Sequence, residues 1–338
     1  MLRLTSSPEK QGKNRMQKTL VQAVNSALRD EMRRNDDVVI LGEDVGRNGG
    51  VFRATEGLYT EFGPQRVMDT PLNESGLVGV SIGLALYGMR PVAEIEFLDF
   101  IYPAFDQIVS ELSKIRYRSG GEYSAPVVIR APYGGGIKGG PYHSQSAETF
   151  FTHVAGLKVV TPSSPYDAKG LLTAAMRDPD PVIFLEPKRL YRSVRGEVPE
   201  EEYVVPIGKA AIANPGEDVS LITYGSLVPT ALEAAAEARE EGIGIEVLDL
   251  RSLIPLDKEA ILESVKKTGR AVILYEAPKV MGYGAEISAL LAEQALDYLK
   301  APIIRVGGYD TPFPYVHENI FPPSVLRVMK AVHSVINH

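Results

Sequence analysis

Short apolar runs separated by amphipathic segments recur along almost the whole chain, and no other feature restricts the possible folds as much. Val38, Val39, Ile40 and Leu41 form one such run, ending at the polar pair Glu43 and Asp44. The pattern predicts further strands at 91–96, 126–131, 158–161 and 182–185, then at 219–223, 244–249, 271–275 and 302–306. Helical spacing of apolar residues begins with Leu20, Val21, Val24, Leu28 and Met32. It returns near 74–87, 100–117 and 166–177, and later near 228–241, 257–268, 285–299 and 324–336. Strands that are apolar end to end, joined by helices, argue for mostly parallel sheets covered on both faces. The expected class is α/β, with two doubly wound domains.

The 338 residues leave room for about two domains of roughly 150 residues, each long enough to bury its own core. A charged stretch with little periodicity separates the two runs of alternation. It is read as a linker at 189–206, between a domain at 16–188 and a second at 207–338. Residues 1–15 are polar and basic and are read as a loose extension. They lack the apolar core of a secretory signal, Met16 offers a second start, and a short segment containing Glu9 makes a poor transit peptide.

Several function classes drop out on composition. A formal net charge of -7 with no basic stripe argues against nucleic acid as partner. No cysteine is present, so disulfides, thiolate nucleophiles and zinc-thiolate sites are excluded. No uninterrupted apolar run reaches the length of a membrane span. The expected compartment is the cytoplasm.

In open α/β sheets ligands sit beyond the carboxyl ends of strands, so the loops there hold the candidate residues. After Asp69, the residues Thr70, Pro71, Leu72, Asn73 and Glu74 lead into a helix with Gly79 and Gly83 on one face. Pro71 favours an extended entry, and Glu74 falls where the helix dipole stabilises a carboxylate. Two glycines on one helix face suggest a packing or ligand reason, although Glu74 also reads as an ordinary first-turn charge. Five glycines in seven residues at 134–140 make a turned or mobile loop, just before His143. His143 is a candidate proton carrier, or is simply a loop histidine in solvent. Phe97, Phe100, Tyr102 and Phe105 lie at a strand-to-helix junction, where they line a pocket for a flat ring or fill the core. The core reading is preferred for Phe97 and Phe105. There is no dinucleotide fingerprint after the first strand, no phosphate-binding lysine loop, no nucleophile elbow and no metal-ligand spacing of histidines.

Taken in order, these blocks resemble one family. They include 70–74, the Gly79/Gly83 helix, the run from Phe100 to Ile108, Arg116 to Gly120, His143 to Gln145 and Gly156 to Pro162. The chain is similar, over nearly its whole length, to beta subunits of the decarboxylase component of branched-chain 2-oxo acid and pyruvate dehydrogenase complexes. The resemblance implies a thiamine-binding pyrimidine-type domain followed by a transketolase C-terminal-like domain. It also implies a thiamine diphosphate cofactor shared with an alpha subunit in an alpha2beta2 heterotetramer. The alpha subunit supplies the diphosphate and magnesium site, usually marked by Gly-Asp-Gly, and this chain contains no Gly-Asp-Gly. By the same resemblance Glu74 hydrogen-bonds the aminopyrimidine ring and Phe100 packs against it. His143 serves the decarboxylation intermediates and transfer to the lipoyl group. Some relatives also hold a structural potassium ion with carbonyls near the positions of Ala125, Val127, Val128, Ala175, Asp178 and Asp180.

The implied activity is oxidative decarboxylation of a 2-oxo acid and reductive acylation of a lipoyl domain on an acyltransferase core. The wording of 69–85 and 97–120 favours branched-chain substrates, although Phe100 stands where those members often carry tyrosine. A pyruvate or acetoin enzyme is the alternative, and a non-catalytic assembly scaffold is the rival of another class.

Overall fold

The computed structural model describes residues 15–338, so the expected extension at 1–15 lies outside the described residues except for Arg15. The first domain contributes strands β1 (Arg15–Thr19), β2 (Val38–Gly42), β3 (Val67–Asp69), β4 (Arg90–Glu94), β5 (Val128–Tyr133), β6 (Lys158–Val160), β7 (Val182–Pro187) and β8 (Arg195–Pro199). The second contributes β9 (Ala211–Asn214), β10 (Val219–Thr223), β11 (Ile245–Asp249), β12 (Ser252–Ile254), β13 (Ala271–Pro278) and β14 (Ile304–Gly308).

The large sheet runs β12-β6-β7-β5-β4-β2-β3 and the smaller one β14-β13-β10-β11-β9. All neighbours in both are parallel except the edge strands β12 and β9. Strands β2, β5, β7, β10 and β11 are buried from end to end, which is why apolar residues dominate them. Helices cover both faces of the sheets, giving the expected doubly wound α/β architecture.

The two halves are less separate than the sequence suggests. Strand β12 belongs by chain order to the second domain, yet it pairs antiparallel with β6 of the first. One core cluster joins Ile129, Val159 and Leu185 to Ile222, Leu253 and Tyr275. Each half also keeps a core of its own on the far side. The stretch 189–206 does more than link. It carries the helical turn Leu190–Ser193 and β8, and β8 pairs with β1 as a two-stranded ribbon.

The segment expected to be one helix near 100–117 is broken into a 3-10 stretch Leu98–Ala104, a π turn Gln107–Glu111, a 3-10 turn Leu112–Lys114 and a short helix Ile115–Arg118. Pro103 sits inside the first piece, where it donates no backbone hydrogen bond and opposes an α conformation before it. Gly156 passes the same segment so closely that an added Cβ would lie 2.0 Å from the Ser113 carbonyl oxygen, at φ +93. Only glycine accepts both demands.

Candidate functional site

The candidate residues gather at the carboxyl ends of β2, β4 and β5. Glu74 is the first residue of the helix Glu74–Leu86, and the Asn73 side chain caps that helix by accepting from the Gly76 N–H at 2.9 Å. The Glu74 carboxylate is half-buried and makes no hydrogen bond or ion pair with the described residues. It lines a narrow crevice with Glu43, Thr70, Pro71, Glu94 and Glu96.

Four acidic side chains therefore face one crevice, and their titration follows. Burial, and after it Asp44 and Glu74, pushes the Glu43 carboxyl up. Burial pushes Glu96 up to about 7, with added repulsion from Glu43, Asp44, Glu94 and Glu74. A carboxyl raised from 4.5 on folding keeps its proton in the native state where the unfolded chain has lost it. Its stabilising contribution is complete at low pH and disappears as pH rises through about 7. Glu96→Gln is thus expected to raise the melting temperature at pH 8 and to leave it nearly unchanged at pH 5. Thermal melts at the two values check this.

Glu94 is the best compensated of the four. Fully buried Arg130 reaches it at 2.5 Å and binds Glu186 through two bonds of 2.6 and 2.9 Å. The Tyr191 hydroxyl donates to the same Glu186 at 2.5 Å. This cluster fixes the end of β4, and so the floor of the crevice.

The helix of Glu74 packs against the 3-10 stretch that carries Phe100. Phe100 is half-buried and meets His143 edge to face at 5.2 Å between ring centroids. Phe97 meets the same imidazole at 4.8 Å and Phe52 at 5.4 Å. His143 is thus half-buried against an aromatic wall, not a loop histidine in open solvent. Glu74 faces its own crevice, at the start of the neighbouring helix.

At the six positions matched to a potassium site, the polar groups are already engaged. The Val127 N–H donates to the Ala125 carbonyl, Val182 N–H to Val127 and Asp178 N–H to Ala175. Val128 is paired within β5. Arg90 donates to the Asp178 carbonyl at 2.8 Å, Lys158 holds the Asp178 carboxylate at 2.6 Å, and Arg116 holds Asp180 at 2.5 Å. Three side-chain cations reach this segment, and no step below depends on a metal there. An apolar cavity of about 810 Å³ lies beside it, at the amino ends of β5, β6 and β7, opposite the candidate site. Among the described residues no group of three or more His, Asp or Glu side chains could hold a metal ion, and no helix is long and apolar enough to cross a membrane.

Comparison with known proteins accounts for both halves. The family model for the transketolase pyrimidine binding domain matches residues 16–194, and that for the transketolase C-terminal domain matches 208–328. The 2-oxoisovalerate dehydrogenase subunit beta of Bacillus subtilis is 55% identical over 296 residues, covering 87% of this chain and 90% of that protein. The chain belongs to the family of 2-oxo acid dehydrogenase beta subunits. Within it, a pyruvate dehydrogenase E1 component subunit beta of Staphylococcus epidermidis is 50% identical, covering 95% of this chain and 99% of that protein. The 2-oxoisovalerate dehydrogenase subunit beta of Pseudomonas aeruginosa is 49% identical, covering 94% and 95%. A solved structure described as a split gene transketolase, inactive beta4 tetramer, has the same fold. It superposes with a TM-score of 0.78 over 94% of this chain and 98% of that one, at 24% identity. Membership in a family of beta subunits implies a complex with a further subunit.

Sequence reasoning missed Glu43, Glu94 and Glu96 as a group, the buried Arg130, and Lys188 below the aromatic wall. One signal was available. Arg130 and Glu186 interrupt otherwise apolar strands that end at the site, and a charge inside a buried strand requires a partner.

Proposed function

We propose that this chain is the beta half of a decarboxylase that oxidatively decarboxylates a 2-oxo acid and transfers the acyl group to a lipoyl domain. Branched-chain acids are the favoured substrates, with the cytoplasm as the expected compartment. The observation that carries the reading is Glu74. It is a half-buried, unpaired carboxylate at a helix amino terminus, on an element packed against an aromatic wall, in a crevice lined by no lysine or arginine.

The acidic lining of that crevice favours the cationic heterocycles of thiamine diphosphate over its diphosphate. In this reading, as the resemblance implies, the diphosphate and its magnesium fall to an alpha subunit. When bound, the cofactor supplies an acidic thiazolium carbon that adds to the 2-oxo group. Glu74 would hold the aminopyrimidine ring by a hydrogen bond through its carboxylate, where it could pass a proton to and from the ring. Phe100 would pack against the same ring and exclude water. His143, held against Phe97 and Phe100, supplies a proton-carrying group on the side where the acyl acceptor arrives. The glycine-rich loop before it forms the wall at which a lipoyl arm would enter.

Calorimetry tests the division of labour. Thiamine diphosphate with magnesium is expected to bind a mixture of this chain with its alpha partner and not this chain alone. Tight binding to the chain alone would overturn the shared site. Pyruvate is the second reading, because a pyruvate dehydrogenase relative is nearly as similar as the 2-oxoisovalerate one. Substrate competition on the assembled enzyme separates the two, and a preference for pyruvate would put it ahead of the branched-chain acids.

A further inference from the structure

The loop that carries His143 is held from the other domain. Its Gly135 N–H donates to the Glu276 carboxylate at 2.7 Å, and its Gly136 N–H donates to Glu318. Both carboxylates are buried and both belong to the second domain, in β13 and in the 3-10 turn Glu318–Ile320. Ser226, also from the second domain, donates to the other oxygen of Glu276. The loop also lies directly on the backbone after β7. A Cβ on Gly136 would fall 2.8 Å from the Arg189 Cα, at φ +120.

One cation lies at the centre of this seam. Lys188 is 4% exposed, and its Nζ has no hydrogen-bond partner among the described residues. The ammonium lies 5.5 Å above the ring of Phe97, which itself packs on His143 at 4.8 Å. The charged groups facing it are Asp99 from the turn after β4, and Glu276 and Glu318 from the second domain. Asp99 accepts the Gln145 N–H at 3.1 Å, two residues past His143, and its other oxygen is unpartnered. Thus the three carboxyls that face Lys188 are the three that hold the His143 loop, at Gly135, Gly136 and Gln145. An ammonium buried without a dedicated partner is costly unless it serves several anions together.

We propose that Lys188 is a positioning residue, the shared counter-charge of an interdomain latch that keeps His143 against Phe97 and Phe100. The latch gives the second domain control over the wall through which the acyl acceptor enters. This rests on the reading that His143 serves acyl transfer.

The test uses the enzyme reconstituted with its alpha subunit. Lys188→Met keeps the apolar stem and leaves Asp99, Glu276 and Glu318 without their cation. Amide exchange of 134–145 is expected to speed up about tenfold or more, while β2 and β5 keep wild-type protection. Reductive acylation of a lipoyl domain is expected to fall about 10²-fold, the size of effect that a misplacement of ~1 Å produces. Turnover with an artificial electron acceptor, which needs no lipoyl entry, falls less. Adding Glu318→Gln keeps an oxygen for the Gly136 N–H and removes one unbalanced charge. The double variant is expected to recover loop protection and part of the acylation rate. It is also the variant to use where Lys188→Met fails to assemble. Unchanged exchange and acylation in Lys188→Met overturn the latch, as does an equal loss in both assays with no recovery in the double variant. A wild-type enzyme inactive with every 2-oxo acid sinks the functional reading instead, and the exchange comparison then still decides the latch.

Discussion

Glu74→Gln is expected to lower turnover of the reconstituted enzyme by about 10²–10⁴-fold, the usual worth of a positioned general acid or base. The melting temperature should stay close to that of the wild type. The substitution replaces a carboxylate with a carboxamide of the same shape at a position with no hydrogen-bond partner to lose. Two small effects on stability oppose each other. A first-turn carboxylate loses its interaction with the helix dipole, about 0.3–1 kcal/mol. Repulsion of Glu43 and Glu96 is relieved, since Glu74 is among the charges that raise both. The outcome separates chemistry from folding. A carboxamide cannot take and return a proton, whereas a first-turn charge with no chemical role would be replaced at little cost to rate. Steady-state rates with the preferred 2-oxo acid, together with a thermal melt, check both halves. Wild-type turnover in the variant would remove Glu74 from the chemistry.

What the sequence disclosed follows from the range of the interactions concerned. Strand β10 at Val219–Thr223 and the helix Pro165–Arg177 were legible because each carries its own period over consecutive residues. The placing of Glu74 at a helix start is local in the same way. Strands β1 and β8 were not legible, because each is a largely exposed ribbon strand that pairs with the other across most of the first domain's length, with Arg15 opposite Pro199. The three-residue β12 is too short to show a period, and its pairing with β6 crosses the domain boundary. The broken helix after Phe97 was foreshadowed by Pro103, which outweighs the apolar spacing around it. At the site, Glu74, Phe100 and His143 lie in motifs that announce themselves. The carboxylates that steady the loop do not, since Glu318 is 182 residues from Gly136 and looks like a surface charge in its own neighbourhood.

Arg130→Met is expected to destabilise the protein by about 3–5 kcal/mol, the cost of removing one member of a buried ion cluster. Arg130, Glu94 and Glu186 are 0%, 3% and 0% exposed, so water cannot take over the role of the lost guanidinium. The loss should depend on pH in a stated direction. Burial already raises the Glu94 carboxyl, and Arg130 opposes that rise. Without Arg130 the native carboxyl rises further above its unfolded value, so the native state binds a proton that the unfolded state releases. Stability then falls as pH climbs above about 4.5. The difference in melting temperature between variant and wild type should accordingly be wider at pH 8 than at pH 5. A pH-independent difference would assign the loss to packing. Because Glu94 also lines the crevice of Glu74, activity should decline together with stability. Converting Glu94 and Glu186 to glutamine in the same chain removes the uncompensated charges and should recover a large part of the melting temperature. Activity need not follow, because the acid group at the floor of the crevice is then absent. Recovery of stability without recovery of rate would mean that the buried cluster serves the site through its charge, beyond holding β4, β5 and β7 together.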